Sequence, residues 1–311
     1  MSERQPLFVG IRLNGDPLSR DKRSDHNTTD LQTVMHILKA NIGTGLLALP
    51  QAVMNAGLIA GPLGLVVLGI IASHCMMVLA DCSRALCQRH EISTLNYSEA
   101  AKVCTQEHFP RLGTVASIVV NIFLSITQFG FCCIYFVFMG QNIQQVFATA
   151  FDIHIDCRVW MVILLAPVIL FSWIRNLDTL ASFSSIANVC IVFSLFVILY
   201  EELYRFTTSN EVDKAAVRTV SLPYITPATL PLFFGTAVYA YEGIGVALPL
   251  ENKMKTPSHF NRVGWIAMSI VIVLYSVFGS LGYLAYGTAL KGSITLNLES
   301  DITATKMQVT A

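Results

Sequence analysis

Charged side chains are scarce. Asp, Glu, Lys and Arg supply 13% of the 311 residues, about half the share of roughly a quarter found in soluble proteins. Apolar residues supply 54% and the mean hydropathy is +0.58, which excludes a water-soluble domain and indicates a chain embedded in a bilayer. Twenty basic and twenty acidic residues cancel to zero net charge, so the basic footprint of a nucleic-acid binder is missing. There is no Cys-x-x-Cys pair, Gly-x-Ser-x-Gly elbow or phosphate loop. Covalent catalysis, a metal centre and an organic cofactor are therefore not expected, and the protein does not read as an enzyme. The eight cysteines lie mostly in apolar runs or in loops placed in the cytosol, which argues against a disulfide framework. Residues 1–30 have no apolar core of signal-peptide length and read as a disordered cytosolic tail.

What is present is a series of apolar runs, each near the roughly 20 residues a bilayer requires. They fall at 33–57, 63–82, 114–148, 159–174, 180–202, 228–250 and 264–286, giving an all-α polytopic membrane protein of about seven spans. The transmembrane domain is set at 31–290, with polar loops at 83–113 and 203–227 and a polar tail at 291–311. With the N-terminus inside, thirteen Lys and Arg fall in inner connections and six in outer ones. Cytosolic loops hold the basic excess, so the N-terminus is cytosolic.

Two spans are flawed in the same way. Gly43-Thr44-Gly45-Leu46-Leu47-Ala48-Leu49-Pro50 is echoed by Gly243-Ile244-Gly245-Val246-Ala247-Leu248-Pro249. Glycine costs about 1 kcal/mol against alanine inside a helix, and backbone opened in a bilayer must find protein or a cavity. An odd number of spans separates the two flaws, so the broken helices run antiparallel. Paired interruptions of this kind mark a secondary carrier whose substrate sits between half-helices at the midplane. Exposed amides at a half-helix N-terminus attract a carboxylate, and freed carbonyls take an ammonium or a cation. The candidate substrate-binding residues are Ile42, Gly43, Thr44 and Gly45, facing Tyr239, Tyr241, Gly243 and Gly245. The competing reading is that the glycines only allow close helix packing.

Glu242 is the sole ionisable residue of its span and directly precedes the second glycine pair. A charge at a helix centre costs roughly 2.5–3.5 kcal/mol on insertion scales; a carboxyl that exchanges a proton would couple transport to a pH gradient. Alternatively, a neutral Glu242 holds the break open by hydrogen bonding. His74 in the second span is a second titratable candidate, or a hydrogen-bonded packing residue.

The stretches HILKANIGTGLLALPQAVMNAGLIAGP (36–62), IASHCM around His74, IRNLDTLASFSSIAN (174–188) and LPLFFGTAVYAYEGIGVALPLENKM (230–254) together resemble the proton-coupled amino acid transporter family of the amino acid/auxin permease superfamily. The likeness runs from about residue 31 to Leu298. It implies a five-plus-five inverted-repeat carrier fold with broken first and sixth helices. It also implies symport of a proton with small neutral amino acids such as glycine, alanine or proline, in the plasma or lysosomal membrane. The family's proton-coupling histidine falls on His74 and its sixth-span acid on Glu242. Beyond Leu298 the family would enter an eighth span, whereas Glu299 to Ala311 is polar, so the chain resembles a C-terminally truncated form. The alternative within the family is a non-transporting sensor or a dominant-negative partner. Expected partners are amino acids, protons and the lipid bilayer.

The assigned orientation is open to a direct check. The sequons Asn27-Thr28-Thr29 and Asn96-Tyr97-Ser98 both face the cytosol, so endoglycosidase treatment of the protein from eukaryotic membranes will leave its gel mobility unchanged.

Overall fold

The structure, a computed structural model, describes residues 28–173, 177–208 and 228–297. The expected N-terminal tail up to residue 27, the turn at 174–176, most of the 203–227 loop and the end of the chain from 298 lie outside the described residues. Ten α-helices are described: α1 (Asp30–Asn41), α2 (Thr44–Ala56), α3 (Ala60–His90), α4 (Tyr97–His108), α5 (Gly113–Phe151), α6 (Cys157–Ser172), α7 (Leu177–Thr208), α8 (Leu230–Ala240), α9 (Ile244–Lys253) and α10 (Phe260–Tyr286).

Four segments are long and apolar enough to cross a membrane: α3, α5, α8 with α9, and α10 with its flanking turns. The pair α1 and α2, bent by 56° at residues 42–43, adds a fifth as a broken span. Of the seven spans expected, α6 has only 16 residues, and α7 has side chains described mainly in its second half. The long third span is confirmed as a helix of 39 residues, about 58 Å at 1.5 Å per residue, so it projects beyond a hydrocarbon core of about 30 Å.

Two stretches read as polar coil are ordered. The loop 83–113 contains the end of α3 and the whole of α4. The sequence Asn96-Tyr97-Ser98-Glu99 starts α4, the Glu99 carboxylate accepting from the Asn96 amide at 2.9 Å in the manner of a capping box. Residues 291–297, assigned to the polar tail, fold back onto the bundle. The Ile294 amide donates to Leu47 O at 3.0 Å, Asn297 Nδ2 donates to Ala289 O at 2.9 Å, and Ile294 and Asn297 are buried. Hydropathy averages missed both because the burial is carried by a few residues among polar neighbours.

The core is organised around α10. Its buried residues Phe260, Val263, Gly264, Ala267, Met268, Val271, Ile272, Tyr275, Phe278, Gly279, Gly282 and Tyr283 recur at three- and four-residue steps, one stripe of a helix. Against that stripe pack α1, α2, α3 and α7. The opposite faces of the bundle are apolar and exposed, as with Val119, Phe123, Ile126 and Phe129 of α5, a surface suited to lipid rather than water.

One end of the bundle is tied by charge. Arg84 of α3 donates to Pro257 O at 2.8 Å and to Asn261 Oδ1 at 2.9 Å, bonds Asp81, and lies 3.2 Å from Glu251 of α9. His259 Nδ1 lies 2.9 Å from Asp30 Oδ2. Arg89 donates to both carboxylate oxygens of Glu107 at 2.9 and 2.7 Å, and His90 Nε2 is 3.0 Å from the same group, so α4 is clamped to the end of α3. Those bonds, Arg89 first and His90 second, hold the Glu107 carboxyl below its ordinary range. A depressed carboxyl stabilises the folded arrangement above its unfolded pKa and loses that contribution as pH falls through the folded value. The protection of α4 amides, measured relative to their intrinsic exchange rates, will therefore fall as pH drops below about 4.3, the usual Glu value. Glu107→Gln will flatten that acid dependence.

Candidate functional site

The two broken spans meet along their whole length. Thr28 pairs through its backbone with Lys253 and Lys255 at 2.9 and 3.0 Å, and the side chain of Asn41 lies against Gly243. Gly45 lies against Ala240, and Asn55 O accepts from Thr229 Oγ1 at 2.7 Å. As numbering rises in the first span it falls in the second, so α1 runs against α9 and α2 against α8. The antiparallel relation inferred from span counting is thus present in the packing.

The breaks lie side by side. The first is Ile42 (φ −77°, ψ 102°) and Gly43 (φ −159°, ψ −154°). The second runs through Tyr241, Glu242 and Gly243 (φ −127°, ψ −1°). Neither uses left-handed backbone, so glycine is required there for space and not for φ. Gly45 meets that requirement most strictly: a Cβ would stand 2.8 Å from Ala240 Cα. Gly243 is tight, with a Cβ 3.3 Å from both Asn41 Nδ2 and Met76 Cε, whereas a Cβ on Gly245 would meet nothing within 4 Å. Close packing thus accounts for Gly45 and leaves Gly245 unexplained by contact.

What holds the breaks open comes from α10. The Tyr275 hydroxyl, fully buried, donates to Asn41 O at 2.5 Å and lies 2.9 Å from Ala240 O. These are the last carbonyls of α1 and α8, groups a helix end leaves without an intrahelical partner. One hydroxyl proton serves both breaks. The amides that open α2 and α9, from Thr44 and Gly45 and from Ile244 and Gly245, have no preceding turn to bond to and remain the free polarity of the site.

Around this centre, Thr44 Oγ1 and Tyr239 Oη share a hydrogen bond of 2.6 Å, and Tyr239 leans on Phe131 of α5 with ring centres 5.3 Å apart. A Cβ on Gly43 would stand 3.7 Å from Tyr135 Oη, so α5 forms one wall. Glu242 is half-buried within the second break. Tyr241 turns away: its ring packs on Tyr275 with centres 4.9 Å apart, and its hydroxyl reaches over Gly69 of α3. His74 is exposed on the face of α3 opposite Gly69, Ser73 and Met76. The structure thus brings Ile42, Gly43, Thr44, Gly45, Tyr239, Glu242, Gly243 and Gly245 together, buries Tyr241 behind them and leaves His74 apart.

Asn41 and Tyr275 were not singled out from the sequence. Asn41 is 4% exposed, spends Nδ2 on Ile37 O at 2.9 Å, and has no partner for Oδ1 among the described residues. The available signals were an amide side chain directly before the glycine break and a tyrosine at the middle of an apolar run, away from the interface belt where tyrosines gather.

Two interrupted antiparallel helices packed in an all-α bundle of apolar, membrane-length helices define a polytopic membrane protein with paired broken spans. The chain belongs to the family described as transmembrane amino acid transporter protein, whose sequence profile matches residues 26–310, a transporter family and not an enzyme class. It is 35% identical over 280 residues to the proton-coupled amino acid transporter-like protein pathetic of Drosophila melanogaster, covering 88% of this chain and 57% of that one. Over 285 residues it is 28% identical to the amino acid transporter ANT1 of Arabidopsis thaliana, covering 91% of this chain and 62% of the relative. The chain therefore spans about three-fifths of the length of these curated relatives. No solved structure matches it.

The bridging hydroxyl gives a sharp expectation. Tyr275→Phe leaves two buried carbonyls without their donor, at about 1–3 kcal/mol for a lost buried partner, and will lower the melting temperature in lipid nanodiscs. Tyr241→Phe removes a hydroxyl that has no partner among the described residues and will leave melting unchanged or raised.

Proposed function

We propose that this chain binds small neutral amino acids at the crossed breaks and serves their proton-coupled transport across a plasma or lysosomal membrane. The observation that carries the reading is the pair of antiparallel helix interruptions held side by side by Tyr275. The opening amides of α2 and α9 take the substrate carboxylate, and the unpaired Asn41 Oδ1 accepts from its ammonium. The close approach of Gly45 to Ala240 and of Gly243 to Asn41 leaves room for a small side chain, in keeping with glycine, alanine or proline. Glu242, within the break, exchanges the coupling proton; His74 is the second titratable group assigned to coupling. The name of the Drosophila relative, a proton-coupled amino acid transporter-like protein, supports this reading.

The test is binding and uptake together. Purified chain in nanodiscs will bind labelled alanine or proline, and vesicles containing it will accumulate them faster with an inward proton gradient. Glu242→Gln will keep binding and lose the gradient's effect. An unchanged pH profile in that variant would remove Glu242 from the mechanism, and absence of binding by the unaltered chain would remove the carrier reading.

A further inference from the structure

Away from the breaks, Glu202 of α7 is fully buried, yet among the described residues neither of its carboxyl oxygens has a hydrogen-bond partner. Helices α10 and α2 approach it. A Cβ on Gly282 of α10 would stand 2.9 Å from Glu202 Oε1 and 2.6 Å from Pro50 Cγ of α2, so the missing side chain at 282 leaves space that the carboxyl and the proline ring both border. Pro50 has no amide hydrogen to offer, and α2 contains no ionisable residue between Thr44 and Ala56. From α10 the titratable groups at this level are Tyr283 and Tyr286. On α7 itself, Arg205 lies 3.5 Å from Glu201 and over the Tyr286 ring at 4.8 Å. None of these donates to Glu202.

The place is distinct from the substrate site. Pro50 is six residues along α2 from Thr44, about 9 Å at 1.5 Å per residue, toward the end of the bundle opposite the Arg84 network. At that network the buried carboxylate of Glu251 has Arg84 beside it; at Glu202 the equivalent compensation is missing. A carboxylate stripped of water with neither donor nor counter-charge is strongly disfavoured, whereas the neutral acid is tolerated. An unpaired acid inside a membrane bundle marks the path of a proton or an ion.

We propose that Glu202 is a proton-binding site. It holds a proton on its carboxyl while α2, α7 and α10 are packed around it, and gives that proton to water when their outer ends part. The balance is simple: one O–H bond breaks, the proton passes to solvent, and the carboxylate becomes hydrated. The placement between Pro50 and Gly282 ties the proton to any movement of α2, the second half of the first broken helix. The site goes beyond the function proposed above and adds a further point of proton exchange, apart from Glu242 and His74.

Infrared spectroscopy of the full chain in lipid vesicles tests this without requiring transport. At neutral pH a protonated-carboxyl carbonyl band is expected that disappears in Glu202→Gln, persists in Glu242→Gln, and shifts in position in Glu202→Asp, so attribution does not depend on one variant folding. A wild-type spectrum without the band, or one unaltered by both Glu202 substitutions, overturns the proposal. In vesicles that transport, Glu202→Gln will retain amino-acid exchange and lose stimulation by a proton gradient; stimulation retained in full overturns the link to opening. Should the unaltered chain neither bind nor carry amino acids while the band is present and lost in Glu202→Gln, the carrier reading falls and the proton site stands.

Discussion

A single hydroxyl group keeps two helices from closing. Backbone inside a bilayer has no water to turn to, and each unsatisfied group costs several kcal/mol in hydrocarbon. The interruptions at residues 42–43 and 241–243 are stable only where their freed carbonyls meet a donor from elsewhere. Tyr275 supplies it to Asn41 O and Ala240 O at once. The two breaks are thereby fixed to each other as well as to α10, and the opening amides of α2 and α9 are left as the polar groups available for a ligand. Packing reinforces the arrangement: Gly45 lets α2 and α8 approach, and Thr44 with Tyr239 joins the same two helices through their side chains.

The two ends of the bundle handle charge in opposite ways. At the Arg84 end the acids have cationic neighbours: Glu251 and Asp81 share Arg84, Asn261 Nδ2 bonds both oxygens of Asp81 at 2.9 Å, and Glu107 is bracketed by Arg89 and His90. This ties α3, α9, α10 and α4 into one unit. At the other end Glu202 sits beside Gly282 with no hydrogen-bond donor among the described residues. Breaking a paired, desolvated charge network is costly, so the Arg84 end favours a closed arrangement.

Several residues show how far pattern reading reaches. Gly43, Gly45, Gly243 and Gly245 were legible because glycine pairs repeated in two apolar runs have no other common cause as strong, and Glu242 because an acid inside such a run is expensive. His74 was legible by the same logic but lies on the exposed face of α3. At 100° per residue it stands about 140° round the helix from Gly69 and about 100° from Ser73, which composition alone does not reveal. Tyr241 reads as a neighbour of the break and is one, yet its ring turns into the core toward Gly69 and Tyr275. Glu202 carries no signal of its own in the sequence, since Glu201 and Arg205 beside it have the composition of a solvated helix end.

The sequence by itself determined that this protein is a helical membrane protein, that two of its spans are interrupted, and that those spans run in opposite directions. Hydropathy, glycine spacing and the parity of the span count are properties of the chain read in order. Only the tertiary structure decided which groups satisfy the interruptions, which acids are compensated and which titratable side chains face inward. Those outcomes depend on which helix faces meet, as when Tyr275, Asn41 and Ala240 converge from three separate segments, and contacts between distant residues leave no local periodicity to read.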